Sequence, residues 1–185
     1  MTIFELARIA IEACEAEKVD VMLTGAFATN IYGVPRSTKD VDLVLSGEPQ
    51  SSLFRVVERL KPKVAFREQV EFDTLTWGRR HVGRTIESPY YLLELFEVFD
   101  DAFVKAQFAE RQEIELPSLE RKVWVPRAEH VVVQKLRWAR DKDLLDARDV
   151  LIVQGTDDLD LSEIRSWCQQ HGSEERLEQI LVEIS

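Results

Sequence analysis

Two carboxylates, Asp40 and Asp42, stand two residues apart at the head of an apolar run, and Gly25 stands between a shorter β-rich run and a helical segment. Side chains two apart in a strand share a face, so Asp40 and Asp42 project together. Such oxygen donors suit magnesium, which keeps part of its water shell and takes further ligands from substrate phosphates. The glycine turn supplies complementary chemistry. A strand that passes through glycine into a helix leaves backbone N–H groups and the positive end of the helix dipole aimed at one spot. Phosphate binds there because the donors converge with no side chain in the way. Singly, each feature has an ordinary reading: a plain turn at Gly25, a solvated strand edge at Asp40 and Asp42, a surface arginine at Arg36. Together, within residues 23–42, they are a layout for holding a triphosphate and divalent metal ions side by side.

The elements that must position these residues follow from hydrophobic periodicity. Val19, Val21, Met22 and Leu23 predict a short strand that stops at Gly25. A helix is expected over 26–32, ended by Gly33 and Pro35, and Val41, Leu43, Val44 and Leu45 predict a buried strand. Ahead of them, Thr2 and Glu5 fit a capping box, with Phe4, Leu6, Ile9, Ala10 and Ala13 on one helical face. Residues 49–60 read as a helix burying Leu53, Val56, Val57 and Leu60, closed by Pro62. Strand character is expected over 63–66 and 72–77, and one or two strands over 80–98. A short helix follows at 101–109. A hairpin is expected from 111–116 and 122–125, with Pro117 in its turn. From Pro126, in the first turn of a helix, the chain reads as helical. Val131, Val132, Leu136 and Ala139 form one core face, and Leu144, Leu145, Ala147, Val150, Leu151 and Ile152 mark the next helix. Gly172 separates helices at 161–171 and 174–184. Strands in the first two-thirds and helices in the last third predict an α+β fold, a mixed β-sheet flanked by helices with a helical C-terminal part. The expected organisation is a core over 1–125 and a helical subdomain over 126–185, packed as one compact unit.

At 185 residues with a formal net charge of −10, the chain suits one well-buried core and argues mildly against nucleic acid as partner. The charge is uneven. Arg55, Arg59, Lys61, Lys63, Arg67, Arg79, Arg80 and Arg84 make a basic segment, and the tail after Thr156 is acidic. A basic patch can still receive a polyanion, since screening confines the tail's influence to about 10 Å; two solvated faces are the plainer reading. No apolar run approaches a membrane span, the start does not read as a signal peptide, and a cytoplasmic protein without a membrane partner is expected. Cys14 and Cys168 lack metal-ligand spacing and are expected as buried free thiols. Trp77, Trp124, Trp138 and Trp167 are assigned to packing.

The segment resembles the nucleotidyltransferase superfamily, in particular small bacterial proteins related to the AbiEii toxins. Their pattern is a Gly turn, a helix, then Gly-x-Pro-Arg-x-Thr-x-Asp-x-Asp. Gly25 and Ala26, then Gly33, Pro35, Arg36, Thr38, Asp40 and Asp42, carry the match over about twenty residues. Many active members have a serine after the first glycine; Ala26 lacks that hydroxyl, and Thr24, one position earlier, is the residue available to compensate. The resemblance implies a nucleotidyltransferase-like fold and a third carboxylate from a neighbouring strand. Glu94, set between Leu93 and Leu95, is the candidate, against the alternative that it simply faces solvent; Asp100 and Asp101 are fallbacks. It also implies roles for Lys135, Asp143 and Asp146. Lys135 reaches the phosphates as a point charge while Asp143 and Asp146, on one helix face, orient it or Arg140 or contact the nucleotide; alternatively these residues form an intrahelical salt-bridge network.

The reading that follows is an enzyme transferring a nucleoside monophosphate from a nucleoside triphosphate to an acceptor hydroxyl on RNA, protein or a small molecule. Asp40, Asp42 and Glu94 are its catalytic and metal-binding residues, holding two Mg2+ ions. Thr24, Gly25, Ala26, Arg36, Thr38, Lys135, Asp143 and Asp146 bind the nucleotide. Toxin relatives imply a cognate antitoxin as a further partner. The alternative is a catalytically impaired protein of the same fold that binds nucleotide or regulates a partner.

Overall fold

The computed structural model describes residues 1–47, 51–73, 78–98 and 100–184. The predicted start of the 49–60 helix and the 74–77 end of the predicted strand, with Trp77, lie outside the described residues. The chain divides into two compact units, one of residues 1–27 and 37–125, the other of residues 28–36 and 126–185.

The first unit is built on a mixed sheet. Strand β1 (Asp20–Leu23) pairs antiparallel with β2 (Asp40–Ser46), which pairs parallel with β6 (Leu92–Glu97). Beyond β6 lies β5 (Gly78–Thr85), antiparallel to it, and β3 (Val64–Phe66) and β4 (Glu71–Asp73) both pair with β5. Val41, Leu43, Val44 and Leu45 are all buried, as suits an interior strand covered on both faces. Helix α1 (Ile3–Ala16) packs on β1, β2 and α3 (Ser51–Leu60). Its capping box is formed: the Glu5 N–H donates to Thr2 Oγ1 at 3.1 Å and the Thr2 N–H to Glu5 Oε2 at 2.6 Å. Its buried face is rotated from the predicted one. Ala7, Ile11 and Cys14 join Leu6, Ala10 and Ala13, whereas Phe4 stays 43% exposed with its ring edge-on to Phe27. Helix α3 buries Leu53, Val56, Val57 and Leu60 as predicted. Helix α4 (Ala102–Ala109) lays Val104 and Phe108 on Met22, Val44 and Phe96, covering the far end of β2 and leaving its start, with Asp40 and Asp42, outside that cluster. The hairpin of β7 (Gln112–Leu116) and β8 (Arg121–Val125) turns through Pro117, as predicted.

The second unit receives the chain within α2 (Gly25–Tyr32), whose first turn belongs to the sheet unit. It contains α5 (Ala128–Trp138), α6 (Asp141–Gln154), α7 (Leu161–His171) and α8 (Glu174–Ile184). α5 packs on α6 and α7, and α8 on α7. Three details differ from the sequence reading. Pro126 lies ahead of α5, whose N-cap is Arg127. Ala139 is the left-handed C-cap of α5 rather than a core residue. On α6, Leu145 and Ile152 are more than half exposed, and Asp143 and Asp146 take buried positions beside Ala147, Val150 and Leu151. Gly172, with φ +66°, closes α7 where a left-handed residue is required. The Cys14 and Cys168 thiols are free and buried; burial pushes Cys14 up to about 12 and raises Cys168. Among the described residues, no helix is long and apolar enough to cross a membrane.

Candidate active site

In the sheet unit the site is set by how closely β1's exit turn meets β2. The Thr24 N–H donates to the Asp42 carbonyl at 2.9 Å, carrying the strand pairing up to the turn. Gly25 then adopts φ +60°, and a Cβ built on it would lie 1.8 Å from Asp42 Oδ2. Glycine is therefore required twice, by the left-handed backbone and by the carboxylate pressed against it. Ala26, in the first turn of α2, is buried. Asp42 is 8% exposed and Asp40 is half-buried. The Asp40 N–H donates to Thr38 Oγ1 at 3.2 Å, fixing the chain as it enters β2.

Register brings a further carboxylate, Glu94, onto the same face. Asp42 pairs with Glu94 across β2 and β6, and Asp40 with Leu92, so Glu94 faces the same side of the sheet as both aspartates. Asp101 instead caps α4, accepting from the Val104 N–H at 2.9 Å, and Asp100 pairs with Lys105 at 2.7 Å. Arg80, which sequence reasoning did not place here, reaches Glu94 Oε1 at 3.4 Å and Glu71 Oε2 at 2.5 Å. Its signal was available in the alternation of β5 against β6. Carboxylate oxygens are the donors that hard divalent cations prefer, and here three of them share a sheet face without all lying within 4.8 Å of one another.

In the helical unit Arg36, Lys135, Asp143 and Asp146 come together. Arg36 grips Asp146 with both arms, Nε to Oδ1 and Nη2 to Oδ2, each at 2.8 Å. Lys135 Nζ donates to Asp146 Oδ2 at 2.7 Å and to Asp143 Oδ1 at 3.1 Å. Arg140 Nε donates to Asp143 Oδ2 at 2.5 Å. Lys135 lies in an ion-pair network, but not the intrahelical one the sequence offered: it runs between α5, α6 and the segment carrying Arg36. Lys135, Asp143 and Asp146 are almost fully buried. Burial alone would raise both aspartates; hydrogen bonds from Arg140 to Asp143 and from Arg36 to Asp146, with the Lys135 charge on both, outweigh it and hold them below the usual carboxylate range. Asn30 was also missed. Its amide donates to the Arg36 carbonyl at 2.8 Å and its Oδ1 accepts the Arg36 N–H at 2.9 Å, so backbone and side chain of Arg36 are both held.

No protein-family model matches the chain. No curated protein matches it either. Solved structures do. The antibiotic-resistance factor ANT(2'')-Ia is 16% identical with a TM-score of 0.61, the match covering 95% of this chain and 96% of that one. An antigenic nucleotidyltransferase-like protein from Paracoccidioides brasiliensis is 17% identical with a TM-score of 0.57, covering 96% and 91%. The lincosamide antibiotic adenylyltransferase LnuA, lincomycin-bound, is 15% identical with a TM-score of 0.52, covering 83% and 98%. The mixed sheet with its flanking helices is thus the fold of the nucleotidyltransferases.

Proposed function

We propose that this protein is a metal-dependent nucleotidyltransferase. The observation that carries the reading is the contact between the Gly25 turn and Asp42, with Glu94 in register beside it. Asp40, Asp42 and Glu94 would hold two magnesium ions, which when bound supply neutralisation of the phosphates and a lowered pKa for the acceptor hydroxyl. The acceptor oxygen attacks the α-phosphorus and forms a new P–O bond. The bond to the β-phosphate oxygen breaks, pyrophosphate leaves with the electron pair, and the hydroxyl proton passes to solvent. The chain's own residues position these groups. Thr24, Gly25 and Ala26 present the turn to the phosphates, Thr38 fixes the start of β2, and Asp40 and Asp42 would hold the metal ions at the reacting end. Arg36 is assigned to the phosphates, positioned by Asp146 and Asn30, while Lys135 and Asp143 hold Asp146 in place. The resemblance to AbiEii-type toxins adds a cellular RNA or protein acceptor and a cognate antitoxin in the cytoplasm; antibiotic adenylyltransferases of the same fold speak for a small alcohol.

The second reading, a nucleotide-binding or regulatory protein without turnover, is favoured by Ala26, which lacks a hydroxyl, and by Arg80 beside Glu94. Thermal shift with nucleoside triphosphates, with and without magnesium, tests binding; α-labelled triphosphate incubated with cell extract tests transfer. The enzyme reading expects magnesium-dependent stabilisation that vanishes in Asp42→Asn, and label entering an acceptor. Stabilisation without transfer under any condition favours the second reading, and stabilisation by neither ligand sinks the enzyme.

A further inference from the structure

Most cations of the basic segment are matched locally. Arg55 and Arg59 pair with Glu17, Lys61 with Glu58, Arg67 and Arg80 with Glu71, and Arg79 with Glu97. Lys63 and Arg84 differ: among the described residues neither has a carboxylate partner, and only Arg84 is paired with an aromatic ring. Arg84 is exposed, and its guanidinium lies 4.6 Å over the ring of Tyr90, itself 53% exposed.

The sheet register fixes where this pair stands. Arg84 pairs with Leu92 on β6, and Leu92 pairs with Asp40 on β2, so Arg84, Leu92 and Asp40 form one row on one face. The next row on that face is Val82, Glu94 and Asp42. Two strand spacings, about 10 Å, separate Arg84 from Asp40 along the row. Gly25, by contrast, leads out of β1 on the opposite side of β2.

Nucleotidyl transfer is an in-line displacement, so the attacking and leaving oxygens lie on opposite sides of the α-phosphorus. With the leaving pyrophosphate on the Gly25 side, the attacking hydroxyl arrives from the side of β6 and β5. We propose that Arg84 and Tyr90 form the platform for the acceptor, and that the acceptor carries a nucleobase and a phosphate near its hydroxyl: a nucleotide or the end of a single nucleic-acid strand. The exposed Tyr90 ring stacks on the base, and the Arg84 guanidinium, unmatched by a carboxylate, meets the phosphate. This assignment rests on the nucleotidyl-transfer reading for its choice of acceptor side.

The test is fluorescence anisotropy of a labelled short single-stranded RNA on the full chain, with adenosine monophosphate as competitor, alongside the triphosphate thermal shift. Arg84→Ala and Tyr90→Ala are each expected to weaken RNA binding about ten-fold, while Tyr90→Phe keeps it within about two-fold, because stacking rather than the hydroxyl is used. Arg84→Ala also lowers the salt dependence by about one phosphate contact. Both side chains are exposed, and unchanged melting of the variants shows that folding is intact. Displacement by the monophosphate identifies a free nucleotide as sufficient; binding of RNA alone identifies a strand end. Either result supports the platform. Equal RNA affinity in wild type, Arg84→Ala and Tyr90→Ala, or no binding of either probe to wild type, overturns it. Magnesium-dependent triphosphate stabilisation alongside that negative result leaves the transfer reading standing. Variant-sensitive RNA binding without triphosphate stabilisation removes the transfer reading and keeps the nucleic-acid platform.

Discussion

The two charged clusters set the same residue types among different neighbours. In the helical unit Asp143 and Asp146 each touch two cations, Asp143 meeting Lys135 and Arg140, and Asp146 meeting Lys135 and Arg36. In the sheet unit three carboxylates share one face, and the cation touching Glu94, Arg80, is also held by Glu71. Matched buried charge is a structural device, costly to break from one side. Carboxylates set on one face of adjacent strands, with Glu94 held by Arg80, are the arrangement proposed above for binding. Asp42 and Asp146 are alike in type and burial but differ in neighbours: Asp146 meets Arg36 and Lys135, whereas Asp42 lies against Gly25 and in register with Glu94.

That contrast can be broken where it is sharpest. Asp42→Asn should lower nucleotidyl transfer about a thousand-fold with the fold retained, read as single-turnover label transfer beside a melting curve. Gly25→Ala should lose comparable activity and also stability, because the new Cβ displaces the Asp42 carboxylate and strains the backbone. In the other cluster, Asp146→Ala should cost about 3–5 kcal/mol in urea unfolding, since it leaves Lys135 buried with half its compensation.

The pH dependence has a definite sign. Asp143 and Asp146 are lowered in the folded state, so their contribution is present above the ordinary carboxylate range near 3.8 and is lost as pH falls through their lower folded values. Urea midpoints should therefore drop steeply below about pH 4, and the drop should flatten in Asp146→Asn. The smallest effect sharpens the comparison within the network itself. Arg140 is 53% exposed on its Asp143 partner, so Arg140→Ala should cost only about 0.5 kcal/mol, measured by the same unfolding curve.

The strand–turn–helix–strand around Gly25 was legible because each element is signalled locally: a β-rich run, a glycine, a short helical segment stopped by Gly33 and Pro35, then a run buried on both faces. The buried face of α3, the capping box of α1 and the Gly172 stop were legible for the same reason. Face assignments failed where packing overrode periodicity. Phe4 is drawn to Phe27, and α6 turns Leu145 and Ile152 outward while Asp143 and Asp146 point inward to Lys135. No local rule makes an aspartate more buried than the leucine beside it; only a cation from another helix does.

By itself, the sequence determined the chemistry on offer: a glycine turn, the Asp40 and Asp42 pair, and the fold class that the hydrophobic periods imply. These are short-range properties, written in spacing and residue type. Tertiary structure alone decided which distant residues join them, because strand register and helix packing set those meetings. Register put Glu94 beside Asp42, brought Arg80 to Glu94 and lined Arg84 up with Asp40; helix packing closed Lys135 onto Asp143 and Asp146.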